Sequence, residues 1–173
     1  MRCFISIDVP EGVKKKIQKI QEQFPEFFGK KIEFENLHLT LKFLGELNEE
    51  KIELVKMKLN EIDFKKFETK VDSIGVFSEK FVRIIWLHLR CCDALQKQID
   101  KKLEDVFKKE KRFMSHLTMA RVKKIKDKKK FLGDLKKIKI PEIKFVVESF
   151  RLKKSELKPE GSVYETLEVY DLE

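Results

Sequence analysis

The chain has 173 residues, and 42% of them are hydrophobic, with fifteen phenylalanines among them; this suits one domain with a substantial core. The formal net charge of +9 favours a polyanionic partner, although alternating lysine and glutamate also occurs on the charged surfaces of heat-tolerant proteins. Three cysteines, with Cys91 and Cys92 adjacent, exclude a disulfide framework. No apolar run approaches the roughly 20 residues of a membrane span, and no leader precedes the first strand, so we expect a cytoplasmic protein.

The first half of the chain predicts alternating strands and helices. A core strand is expected from Cys3 to Val9, and Pro10 stands where a helix can begin. The apolar stripe of that helix steps along one face: Val13, Ile17, Ile20 and Phe24. Asn48 is suited to cap a second helix. The apolar stripe of the second helix is Ile52, Val55, Leu59 and Ile62.

The second half continues in the same manner. Strands are predicted over residues 67–74 and 82–89, and a helix follows with the stripe Leu95, Ile99, Leu103 and Val106. Alternation over residues 145–150 and 163–169 predicts a terminal hairpin of two strands. This order fits a duplicated α+β unit better than a parallel Rossmann sheet. The absence of a glycine-rich phosphate loop argues against nucleotide-dependent ligation of the usual kind.

A short pattern occurs twice: His38-Leu39-Thr40-Leu41 returns as His116-Leu117-Thr118-Met119. Because side chains alternate faces along a strand, the histidine and threonine of each copy share one face. One His-x-Thr is weak evidence, since both residues are common on polar strand faces, but the repetition favours a function. Arg121 follows the second copy on the apolar parity, so a bulge or strand end must turn it if it is to join the histidines. His88 lacks such a threonine, which indicates a surface or internally satisfied histidine.

Two imidazoles on two separate strands suit the cleavage of a phosphodiester. An imidazole titrates near pH ~6.5, so one histidine can accept a proton while the other donates one. The base would activate a water or hydroxyl, and the acid would protonate the departing oxygen on the opposite side of phosphorus. Thr40 and Thr118 can bind the non-bridging oxygens, whose charge Arg121 can offset. This scheme needs no metal or cofactor, and no His or Cys cluster has metal-ligand spacing.

The chain resembles the two-histidine phosphoesterases, and among them the RNA 2′,3′-cyclic phosphodiesterases of bacteria and archaea, also called 2′-5′ RNA ligases. The resemblance runs nearly end to end and is most specific in residues 35–46 and 116–123, which carry the HxTx motifs. The supporting segments are residues 2–8, 83–86 and 152–157, with Gly161 and Tyr164. The resemblance implies a bilobed α+β fold with pseudo-twofold symmetry, in which antiparallel sheets with flanking helices surround a central cleft. We expect a single domain over residues 1–173.

The same resemblance implies an active-site set of His38, Thr40, His116, Thr118 and Arg121. The expected reaction is the opening of a terminal 2′,3′-cyclic phosphate on RNA to a 2′-phosphomonoester, with 2′-5′ ligation as its reversible counterpart. We assign His116 as the base and His38 as the acid, although near-symmetric strands could exchange these roles. Expected partners are RNAs with 2′,3′-cyclic phosphate ends, with tRNA halves from tRNA splicing as candidates, and a monomer is expected.

Several alternatives stay open at this point. The substrate could instead be a small cyclic phosphate or a 2′-5′ oligonucleotide, or the protein could be an RNA-binding module without activity; a binder, however, gains little from two titrating groups. The lysine-rich residues 123–130 either line the cleft and hold RNA phosphates or form a solvated connection to a helix with Phe131 and Leu135 inward. Phe34 either replaces an aromatic residue that the family carries before the first motif or fills the core.

Overall fold

A computed structural model describes residues 1–173 and has the predicted α+β architecture. The strands are β1 (Arg2–Asp8), β2 (Phe28–Lys31), β3 (His38–Glu46), β4 (Phe67–Val76), β5 (Ile84–Leu89), β6 (His116–Lys124), β7 (Lys144–Val147), β8 (Ser149–Lys158) and β9 (Gly161–Asp171). The helices are α1 (Glu11–Glu22), α2 (Glu49–Asn60), α3 (Asp93–Lys102) and α4 (Lys128–Lys137). None of these helices has the length and apolar character needed to cross a membrane.

The strands form one antiparallel sheet in the order β7-β4-β5-β6-β3-β1-β8-β9, and β2 pairs additionally with β6. The two motif strands, β3 and β6, meet at the centre, where Leu39 is opposite Leu117. We call the half-sheet β3-β1-β8-β9 the His38 lobe and the half-sheet β6-β5-β4-β7 the His116 lobe. Each lobe consists of four strands and begins with its motif strand at the centre of the sheet. The predicted bilobed arrangement is thus confirmed.

The two halves of the chain exchange strands between the lobes. Strand β4 comes from the first half of the chain but pairs with β5 in the His116 lobe. Strand β8 comes from the second half but pairs with β1 in the His38 lobe, where Arg2 is opposite Ser155. Each lobe therefore contains strands from both halves of the sequence.

The helices follow the predicted apolar stripes and cover a single core of 36 buried residues. Asn48 caps α2 by accepting a hydrogen bond from the Lys51 amide at 2.9 Å, as predicted. Asp127 caps α4 in the same way, with the Lys130 amide at 3.0 Å. The last member of each predicted stripe lies half-buried beyond the end of its helix: Phe24, Ile62 and Val106.

Two details of the strands differ from the prediction. The segment 145–150 is not one strand, because the chain crosses from the His116 lobe to the His38 lobe at the exposed Glu148. Strand β7 therefore ends at Val147 beside β4, and the terminal hairpin consists of β8 and β9. Strand β2 was not predicted, because all four of its residues are exposed and give no alternating apolar signal.

Candidate active site

The two motif strands line a cleft of about 400 Å³ at the centre of the sheet. The structure brings all the sequence-predicted site residues into this cleft: His38, Thr40, His116, Thr118 and Arg121. Sequence reasoning from the motifs alone missed several other polar residues of the lining. These are Arg2, Asn36, Ser155, Ser162 and Tyr164.

A bulge in each motif strand determines which residue joins the histidines. The two residues after each threonine are both buried, since the register of pairing with the neighbouring strand shifts at this level. The extra residue returns the next side chain to the cleft face. That side chain is Arg121 in β6 and Phe43 in β3. The bulge required by the sequence parity of Arg121 is thus present, and the same bulge recurs in the other copy.

Both imidazoles are held by a backbone carbonyl two residues earlier in the chain. The Nδ1–H of His38 donates to the carbonyl oxygen of Asn36 at 2.7 Å, and that of His116 donates to Met114 at 2.8 Å. A carbonyl can only accept, so these bonds leave the lone pair of each neutral ring on Nε2. In β3 the Thr40 hydroxyl donates to this Nε2 at 3.0 Å. Sequence could not reveal the anchors, because any residue type supplies a carbonyl.

The environment of the cleft favours neutral imidazoles. Burial lowers the pKa of His38 to about 4, and the positive charges of Lys153 and Arg121 act in the same direction. Burial also lowers the pKa of His116, again with a contribution from Arg121. A phosphate anion bound between the rings would oppose both effects, because a nearby negative charge favours the protonated form.

The next strand of the His38 lobe supplies an acidic neighbour. Asp8 of β1 is the cross-strand partner of His38. Its carboxylate forms ion pairs with Lys153 and, at 3.1 Å, with Arg151, both from β8. The negative charge of Asp8 favours protonation of His38 and partly opposes the burial effect.

The His116 lobe has a different arrangement at the matching position. There His88 of β5 is the cross-strand partner of His116. The Nδ1–H of His88 donates to Asp72 at 2.7 Å, and Arg90 donates to the second oxygen of the same carboxylate at 2.9 Å. The prediction that His88 is a satisfied strand histidine is confirmed.

Aromatic rings lie against both histidines. Phe4 and Tyr164 pack on His38 with ring centroids 5.1 and 5.2 Å away, and Phe77 packs on His116 at 4.9 Å. Phe34 does not fill the core, so that alternative is wrong, whereas its replacement of the family's aromatic residue stays a prediction. Its half-buried ring lies outside both the cleft lining and the core, with the Lys14 ammonium 5.7 Å above it.

The lysine-rich residues 123–130 run from the end of β6 into the first turn of α4. Phe131 and Leu135 of that helix are buried, as the solvated-connection alternative predicts. The lysines from 123 to 130 are all exposed. Contact between these lysines and RNA remains a prediction.

The chain is similar over nearly its whole length to known phosphoesterases. A family model, LigT like Phosphoesterase, matches residues 7–86 and 92–164. An RNA 2′,3′-cyclic phosphodiesterase of Methanocaldococcus jannaschii is 39% identical, and the alignment covers 96% of this chain and 98% of that protein. A Thermotoga maritima protein of the same name is 36% identical, with 96% and 93% covered.

Solved structures share the fold. A crystal structure of a Thermus thermophilus protein superposes with a TM-score of 0.80 at 27% identity, covering 99% of this chain and 97% of that one. Escherichia coli LigT complexed with 3′-AMP superposes with a TM-score of 0.81 at 24% identity and the same coverage. The central cleft between two lobes is thus part of an architecture found in other proteins.

Proposed function

Since the chain belongs to the LigT-like phosphoesterases, the two-histidine family, we propose that it opens terminal 2′,3′-cyclic phosphates on RNA to 2′-phosphomonoesters. The observation that carries this proposal is the pair of imidazoles, each with Nδ1 anchored on a backbone carbonyl and with the lone pair of the neutral ring on Nε2. Arg121 and the two motif threonines line the same cleft. This arrangement provides one proton acceptor, one proton donor and stabilisation of a phosphorane between them.

In the proposed hydrolysis, water attacks phosphorus from the side of His116. The Nε2 of His116 takes a proton from this water as the new P–O bond forms. The bond between phosphorus and O3′ breaks on the opposite side, and His38 gives its proton to the departing O3′. The product carries a 2′-phosphate and a 3′-hydroxyl. Thr40, Thr118 and Arg121 stabilise the charge on the non-bridging oxygens.

Binding of the substrate favours protonation of His38, the proposed acid. Burial holds the pKa of His38 at about 4, so this ring is neutral at neutral pH. The negative charge of the cyclic phosphate raises that pKa when the substrate binds. The proton that His38 needs for catalysis is therefore taken up together with the phosphate.

Ligation uses the same site with another nucleophile. The 5′-hydroxyl of a second RNA strand replaces water, loses its proton to His116 and forms the P–O5′ bond, while the P–O3′ bond breaks as before. The product is a 2′-5′ linkage. No step in either direction calls for a metal or cofactor.

The proposal extends to the biological setting. The substrates are RNA ends with cyclic phosphates, with tRNA halves from tRNA splicing as candidates, and the site of action is the cytoplasm. The proposed functional unit is a monomeric single domain over residues 1–173, in which both motif strands contribute to one cleft. The formal net charge of +9 supports an RNA partner.

The test is to incubate a short RNA ending in a 2′,3′-cyclic phosphate with the protein in excess chelator. We expect a 2′-phosphate product that is lost in both His38→Ala and His116→Ala. RNA binding without turnover would reject the proposal for this substrate. It would favour a small cyclic phosphate or a binding role instead.

A further inference from the structure

The His116 side of the cleft ends in a half-exposed aromatic ring. Phe77, the residue that follows β4, packs edge-to-face on His116 and lies 5.8 Å from the ring of Trp86, yet 53% of it is exposed. We propose that Phe77 is a stacking platform for the base of a second nucleoside, the one whose 5′ oxygen attacks or leaves phosphorus. This inference rests on the proposed function.

The reaction geometry determines which nucleoside lies there. The entering and departing oxygens lie roughly in line across phosphorus. Because O3′ departs towards His38, the ribose and base of the cyclic phosphate lie on the His38 side. The nucleophile enters beside His116, so the nucleoside that carries an attacking 5′-hydroxyl lies next to the ring that contacts His116. That ring is Phe77.

The strands beneath Phe77 support an exposed ring. Gly75 of β4 faces Trp86 of β5 across the sheet, and a Cβ at Gly75 would come within 2.7 Å of the indole. The missing side chain lets the indole lie against β4, where it backs Phe77. Trp86 is also the cross-strand partner of Thr118. A supported but uncovered aromatic ring at the edge of a cleft suits stacking with a base.

The surrounding charge fits the strand attached to that nucleoside. The loop after Phe77 contributes Lys80 and Arg83. Arg83 donates to the carbonyl of Lys123 at 3.1 Å, and Lys128 donates to the carbonyl of Lys80 at 2.8 Å. The loop is thus fixed against the lysine-rich segment after β6. An RNA strand that leaves the platform in this direction passes over cations that attract its phosphates.

The experiment compares two 2′-5′-linked dinucleotides whose first nucleoside lacks the 3′-hydroxyl, so that neither can be cleaved to a cyclic phosphate. The second nucleoside has a base in one of them and no base in the other. Dissociation constants from calorimetry need no turnover, and their ratio is taken within each variant, so a general loss of affinity cancels. We expect the base to tighten binding to the wild type about tenfold. Phe77→Leu should reduce the ratio to about one, and Phe77→Tyr should retain it. Phe28→Leu, at a similarly exposed ring beside Lys126, is the matched control and should keep the wild-type ratio.

The fluorescence of the single tryptophan locates the effect. A base stacked on Phe77 should quench Trp86 emission, and the ligand without the base should not. A wild-type ratio of one, or an unchanged ratio in Phe77→Leu, would overturn the inference. If the wild type opens cyclic phosphates but shows no base effect, only this inference fails. Failure to open them rejects the proposed function, and calorimetry still tests the platform.

Discussion

The two motif strands have the same backbone plan but different surroundings. In both, Nδ1 of the histidine is tied to a carbonyl two residues earlier, and a bulge follows the threonine. His38 is enclosed by the buried Phe4 and by Tyr164, whereas His116 lies beside the half-exposed Phe77. The shared backbone explains why two imidazoles face one cleft. The different neighbours are what can give them different roles.

The bulged segments differ in the same way. At the cleft-facing position β6 has Arg121, and β3 has Phe43, which is 70% exposed. At the buried position just before it, β6 has Ala120 and β3 has Lys42. One copy thus supplies cationic charge to the cleft, and the other directs its cation into the core. Each difference can be tested by substitution.

The largest expected effect comes from the histidines themselves. His38→Ala and His116→Ala should each lower kcat by about 10²–10⁴, because each removes an acid or a base. A cyclic phosphate with sulfur in place of O3′ has a leaving group that needs no proton. This substrate should restore most of the activity of His38→Ala and little of that of His116→Ala in single-turnover assays. Restoration of His116→Ala instead would show that the two roles are exchanged.

The next effect concerns Lys42, whose ammonium is buried with Asp100 of α3; both side chains are 2% exposed. Lys42 also donates to the carbonyl of Lys108, and Asp100 accepts from the amide of Glu110. Lys42→Met leaves a buried carboxylate unpaired and should lower the free energy of unfolding by about 3–5 kcal/mol in urea titrations. The double variant with Asp100→Leu should recover part of this loss. A double variant no more stable than the single one would contradict this explanation.

A smaller loss of activity is expected when the positive charge of Arg121 is removed from its position in the cleft. Arg121→Ala should lower kcat by about 10²–10³, as expected for loss of a group that stabilises the developing charge. Arg121→Lys should recover only part, because an ammonium cannot make the paired hydrogen bonds of a guanidinium. The exchange variant Phe43→Arg with Arg121→Phe keeps the same composition and should remain as slow as Arg121→Ala. Wild-type rates in the exchange variant would show that the two positions are equivalent.

The smallest effect is on stability in acid. The pKa of His38 falls from an ordinary 6.5 to about 4 on folding, so the unfolded chain binds more protons between these values. The contribution of His38 to the free energy of unfolding is therefore fully present above pH ~6.5 and is lost as the pH falls towards ~4. This loss is at most about 3 kcal/mol. His38→Gln should show a smaller loss of unfolding free energy between pH 7 and pH 4.5. An equal loss in wild type and variant would assign the acid sensitivity to other groups.

Much of this architecture could be predicted because it depends on the periodicity of side chains. Alternation identified both motif strands, and the parity of Arg121 required a bulge. What could not be predicted depends on the backbone or on contacts distant in sequence. The carbonyls of Asn36 and Met114 leave no signature in residue type, and the exposure of Phe77 depends on how β4 and β5 meet. Strand β2 is held by pairing with β6, which no local pattern indicates.

The exchange of strands between the lobes also matters for how the protein is made. During synthesis on the ribosome, His38 and its strand emerge early, but the β8 partner of β1 begins only at Ser149. Contacts between residues so distant in sequence form late and slow the folding of the chain. Folding of the His38 lobe must therefore wait until most of the second half of the chain has been translated. A nascent chain carries His38 long before it carries a complete cleft.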